Sequence, residues 1–135
     1  MGKRTTSRRL AMQALYQAEI SNISIEESLQ NLFDSEKFID ETVGFSEKLA
    51  KQAWADRDGS DKIIVKLSVD WPLDRIGKVD RSILRLALSE LKSGETPQSV
   101  VINEAVELAK KYSSEEAAKF INGILGAFLR EQKPS

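Results

Sequence analysis

Apolar residues recur along this chain at intervals of three and four, and nowhere do β-branched residues alternate with polar ones over a sustained run, so the pattern predicts helices with buried faces and no sheet. Leu10, Ala11, Ala14, Leu15 and Ala18 make the first such face, with Thr5, Thr6 and Ser7 placed to cap it. "SIEESLQNLF", residues 24–33, opens with Ser24 and Glu27 at capping-box spacing and continues through Ile25, Leu29, Leu32 and Phe33. A third helix over residues 41–57 carries Phe45, Leu49, Ala53 and Trp54. The run "DRDGSD" around Gly59 separates it from a fourth with Ile63, Ile64 and Leu67.

The longest periodic stretch, Asp74 to Lys92, follows Pro72 and closes at Gly94, which suits a left-handed C-terminal cap. Its apolar positions, among them Ile76, Ile83, Leu84, Leu88 and Leu91, cover more than one face, so this helix is expected at the centre, touched from two sides. Thr96 and Pro97 read as the cap and first residue of a sixth helix, "SVVINEAVELAKKY". Ser113 and Glu116 read as the capping box of a seventh, running to about Arg130. The expectation is an all-α fold of about seven helices. With no internal repeat and no long linker, residues 1–135 are expected to form one domain.

Composition narrows the chemistry. The 135 residues include no cysteine and no histidine, which removes disulfides, thiol nucleophiles, imidazole bases and the usual zinc ligands. Asp74 and Asp80 as a metal pair lack a third ligand at a suitable spacing. No cofactor, metal or catalytic residue is therefore expected. No apolar run approaches the roughly 18 residues that span a bilayer, and Gln13 interrupts the only signal-peptide-like core, which points to a cytoplasmic protein without a membrane partner. The start "MGKRTT" also fits the loose N-myristoylation pattern, but the same segment reads as the beginning of a folded helix.

The net charge of −1 conceals two poles. Residues 1–18 hold Lys3, Arg4, Arg8 and Arg9 and no acid, whereas residues 26–61 hold ten acidic residues against four basic ones. On the first helix, Arg9, Gln13 and Tyr16 stand at i, i+4 and i+7, with Arg4 and Arg8 nearby. Guanidinium groups neutralise phosphates and aromatic rings stack on unpaired bases, so the stripe suits single-stranded RNA; an ordinary solvated helix face has the same look. On the last helix, Lys119, Gly123, Gly126, Ala127 and Arg130 share a stripe of small and basic residues beside Asn122. A glycine inside a helix costs about 1 kcal/mol relative to alanine, so Gly123 suggests close approach by another backbone, either helix one or a nucleic-acid strand. Asp80 adjoins an apolar line of the fifth helix, which fits a protein interface with a charged rim as well as it fits a surface carboxylate with local ion pairs.

Taken together, "RRLAMQALYQAE", "DWPLDRIGKVDRSILRLALSELK" and "PQSVVINEAVELAKKYSSEEAAKFINGIL" resemble the transcription antitermination factor NusB family across nearly the whole chain. The resemblance implies two packed helical bundles set across one another, and a non-catalytic protein. It implies binding to the boxA element of nascent ribosomal RNA as a heterodimer with NusE, a ribosomal protein, within an RNA polymerase complex that resists termination. Carried over residue by residue, it assigns RNA contacts to Arg4, Arg8, Arg9, Tyr16, Glu116, Lys119 and Phe120, with Gln13 on the same stripe, and contacts with the protein partner to Asp74 and Asp80. It also implies that the last helix packs on helix one and brings Tyr16 near Lys119 and Phe120. Some family members pair with themselves, which leaves a homodimer open. Family members usually carry an aromatic residue before the Glu of "LSEL", where this chain has Ser89. Two further readings compete: a detached targeting domain related to ribosomal RNA cytosine methyltransferases, and a helical protein-interaction module.

Overall fold

The computed structural model describes residues 2–68 and 72–132; Asp70 and Trp71, which open the DWPLD motif, lie outside the described residues. Seven α-helices follow in order among the described residues: α1 (Lys3–Ser21), α2 (Ile25–Ser35), α3 (Asp40–Ala55), α4 (Arg57–Leu67), α5 (Lys78–Ser93), α6 (Gln98–Tyr112) and α7 (Glu115–Gln132). A single 3-10 turn, Leu73–Arg75, precedes α5.

Local signals account directly for the start of α2 and the end of α5. Ser24 caps α2, its hydroxyl accepting from the Glu27 amide at 3.0 Å. Gly94 ends α5 at φ 71°, a left-handed turn that disfavours any residue with a Cβ. Elsewhere the boundaries move. α1 starts at Lys3, ahead of the expected caps, and Ser7 instead turns inward, its hydroxyl donating to the Thr42 carbonyl of α3 at 3.0 Å. The break between α3 and α4 falls at Asp56 rather than at Gly59, which is helical and exposed. Asp74 sits in the 3-10 turn, so α5 begins four residues later than its apolar pattern suggests. Pro97 is the residue before α6 rather than its first. α7 is capped by Ser114, which accepts from the Ala117 amide at 2.9 Å, one residue beyond the expected Ser113.

α1, α2 and α3 pack on one another; α6 packs on α5 and α7, α4 touches both α5 and α7, and α5 also reaches across to α1 and α3. One apolar cluster draws buried side chains from all seven helices, with Ile83, Leu84 and Leu88 of α5 fully enclosed beside Leu15, Ile64, Ile121 and Leu125. Each such side chain contributes about 1.5–3 kcal/mol by leaving water. The continuous burial of Ser82 to Leu91 places α5 at the centre, as its two-sided pattern predicts.

Burial of that helix is not purely apolar. Arg8 of α1, 3 % exposed, donates from Nε and Nη2 to the two carboxylate oxygens of Glu90 at 2.9 and 2.6 Å. At the other end Arg85 of α5, 4 % exposed, grips both oxygens of Asp61 at 2.8 and 2.7 Å and reaches Glu19 of α1 at 2.7 Å. Burial alone would lower both guanidinium pKa values. The hydrogen bonds to Glu90, and to Asp61 and Glu19, together with the charges of those carboxylates, outweigh it and hold both raised. While the partner carboxylates are ionised, raised guanidinium values mean that this contribution is present below the guanidinium's unfolded-state pKa and is lost on the basic side only in strong alkali.

The expected packing of α7 on α1 does not occur. No Cα of α1 lies within 8 Å of one in α7, because α5 and α6 stand between them. Gly123 is exposed, and a Cβ built on it would meet nothing within 4 Å, so close approach inside this chain is not its reason for being there. Among the described residues no helix is long and apolar enough to cross a membrane.

Substitution Gly123→Ala is accordingly expected to raise stability by about 0.4–1 kcal/mol, read as a shifted urea midpoint at unchanged slope; a loss would restore a hidden close contact. Glu90→Leu, which strands the Arg8 charge inside, is expected to lower stability by about 3–5 kcal/mol. The double change Arg8→Met with Glu90→Leu should recover most of that loss in the same titration, since it removes both charges.

Candidate nucleic-acid interface

The basic N-terminus does not act as one cluster. Lys3 pairs with Glu41 at 3.2 Å on the surface. Arg4, exposed, lies over the ring of Phe45 in α3 with its guanidinium carbon 4.3 Å from the centroid, which holds the cation in place without hiding it. Arg8 is the clear correction. Its guanidinium is consumed by Glu90 in the interior, and a phosphate could reach it only by breaking that pair, so it is not part of a solvent-facing RNA surface. Arg9, half-buried, donates to the Gln13 side-chain oxygen at 3.2 Å, which couples two members of the predicted stripe. Tyr16 on the same helix is half-buried.

The residues expected at the start of α7 divide between two hollows. Glu116 and Phe120 line a pocket of about 190 Å³ together with Arg75, Asp80 and Ser114. Lys119 instead lines a shallower α6/α7 groove of about 600 Å³ with Asn103, Lys110 and Asn122. Tyr16 borders neither. The single ledge anticipated from Tyr16, Lys119 and Phe120 is therefore not formed: Lys119 and Phe120 line separate hollows divided by α7.

Asp80, in the first turn of α5, is the link between the two expected surfaces. One of its oxygens, Oδ1, is buried without a hydrogen-bond partner, although the residue as a whole is only half-buried and faces the pocket that holds Phe120 and Glu116. An enclosed carboxylate oxygen without a donor costs free energy, and a donor would reach it only if the side chain turned. Asp74, exposed on the 3-10 turn, lies outside that lining.

Ser89, where the resemblance leads one to expect an aromatic ring, is buried and donates to Asp56 Oδ2 at 3.1 Å at the joint of α3 and α4. This position faces the interior of the chain, so its departure from the family pattern bears on packing rather than on a partner.

A further hollow escaped the sequence reading. The groove between α1 and α6, about 480 Å³, is lined by Thr5, Thr6 and Arg9 on one side and by Lys110, Lys111 and Tyr112 on the other, with Glu104 and Glu107 along its wall. The signal was present as the basic pair and tyrosine closing "LAKKY", which periodicity alone assigns to the end of a helix. Exposed cations and half-exposed rings bordering concave surfaces can hold phosphates and unstacked bases.

Comparison with known proteins identifies the family. The NusB family profile matches residues 5–130. The transcription antitermination protein NusB of Bacillus subtilis (strain 168) is 44% identical over 124 residues, covering 91% of this chain and 92% of its own. A crystal structure of antitermination factors NusB and NusE in complex with double-stranded RNA superposes with a TM-score of 0.89 at 28% identity, covering 97% of this chain and 98% of that one. NusB of T. maritima superposes at 0.88 with 29% identity, covering 99% of this chain and 94% of the other. With the profile spanning nearly all of the sequence and a relative matching over nine-tenths of both chains, the chain belongs to the NusB family.

Proposed function

We propose that this protein is a non-catalytic transcription antitermination factor of the cytoplasm that binds single-stranded boxA RNA of nascent ribosomal transcripts together with NusE, and so contributes to a termination-resistant RNA polymerase complex. The observation that carries the reading is the shared pocket of Asp80, Glu116 and Phe120, which brings a residue assigned to the protein partner against residues assigned to RNA. A heterodimer built on that pocket would hold RNA across its seam, with Phe120 offering an aromatic face to a base and the half-buried Asp80 carboxylate offering an acceptor to the partner.

Arg4 and Arg9 supply long-range attraction in this scheme, and Arg8 supplies none. The targeting-domain alternative is not favoured, because relatives matched over nine-tenths of both chains are themselves antitermination proteins. A bare interaction module is disfavoured by the solved NusB–NusE complex that contains RNA.

The deciding experiment mixes the purified protein with NusE and with boxA RNA or a scrambled sequence of equal length. Tighter assembly of the three than of any pair, lost on scrambling, is expected; equal binding of both RNAs would reduce the reading to general polyanion affinity. Arg4→Gln and Arg9→Gln should each weaken RNA binding and flatten its dependence on log salt by about 0.7, the increment for one phosphate contact to a single strand. Asp80→Ala should weaken association with NusE by about 2 kcal/mol, the scale of a hydrogen bond to a charged group, in a titration without RNA. An unchanged affinity would remove Asp80 from the partner surface.

A further inference from the structure

The RNA surface proposed above draws on α1 and α7, two helices that do not touch, and the last turn of α6 fills the space between them. Lys110 lines both neighbouring grooves. On one side it shares the α1/α6 groove with Arg9, and on the other it shares the α6/α7 groove with Lys119. Lys110 and Lys111 are exposed, and among the described residues neither takes part in an ion pair. Tyr112 follows them, half-buried against the core, with the Lys111 ammonium 5.5 Å from its ring centroid.

Lysines in the last turn of a helix are favoured by the helix dipole whatever their use. That effect does not account for their position between two grooves, each of which already holds a cation from another helix, nor for the ring that closes the first. The acids of the α1/α6 groove set the orientation of an occupant. Glu104 accepts from the Thr5 hydroxyl at 2.9 Å, and Glu107 adds a second negative group on the wall. Phosphates are repelled from that wall and drawn to the lysine rim, while base amino groups, which donate hydrogen bonds, are tolerated inside.

We propose that Lys110, Lys111 and Tyr112 form the middle of the RNA path, carrying one single-stranded segment from Arg9 on α1 to Lys119 on α7, with phosphates on the lysine rim and a base against Tyr112. This rests on the RNA-binding reading given above. It adds three contact residues from a helix to which that reading assigns none, and it restores continuity to a surface that α1 and α7 cannot make by touching.

The test uses the full chain and a labelled single-stranded boxA RNA, with affinity measured across a salt series. The double variant K110Q/K111Q changes only exposed positions. It is expected to weaken binding about tenfold near 0.1 M salt and to flatten the slope of log affinity against log salt by about 1.4, for two lost phosphate contacts. Y112L is expected to weaken binding about tenfold and Y112F to retain it, since stacking needs a ring and not a hydroxyl. Equal melting temperatures for the two Tyr112 variants would separate lost stacking from lost packing. Wild-type affinity and slope in K110Q/K111Q, alongside weakened binding by R9Q, would overturn the path over α6 while leaving the RNA-binding reading intact; that outcome would leave the groove to another class of ligand. Failure of the unmodified chain to bind the RNA at all would sink both.

Discussion

Two buried arginines set the register of the molecule. α1 offers Arg8 near its start and Glu19 near its end, while α5 offers Glu90 near its end and Arg85 at its middle, so all four charges are satisfied only when the later part of each helix lies toward the earlier part of the other. Asp61 ties α4 into the same network. An apolar interface alone tolerates sliding by a turn at modest cost, whereas misplacing a buried guanidinium leaves it without a carboxylate and costs several kcal/mol. The clasp therefore confers specificity of arrangement more than it adds net stability, and α5, held in this way, becomes the axis on which both three-helix halves are assembled.

The central position of α5 was legible in its pattern, because Ile83, Leu84, Leu88 and Leu91 leave no single dry face. Helix number and class were likewise carried by periodicity, and Ser24 and Gly94 named their caps by chemistry that acts over a few residues. Boundaries that depend on tertiary contacts were not legible. Ser7 looks like a cap until α3 presents the Thr42 carbonyl, and Asp74 looks helical until the chain bends into the 3-10 turn ahead of Gly77.

The candidate site shows the same division more sharply. Residue types suited to RNA could be found along α1 and α7, but which of them face water is decided by partners distant in sequence. Arg8 and Arg9 are adjacent and chemically identical, yet Glu90 takes the first inward, and the second stays at the rim of a groove. Gly123 invited an explanation by helix packing that the neighbouring space does not support. What spacing could not reveal was the interposition of α6, since no pattern within a helix states which other helix will lie alongside it.

That interposition has a consequence for synthesis. Arg9 belongs to the first helix made and Lys119 to the last, and the helix lying between them is the last but one. The pocket of Phe120 and the α6/α7 groove exist only when the final helix has docked, so before that point the chain presents only the α1/α6 groove of this face. Arg9 can be placed before Lys119 can, and the full face waits for the last helix.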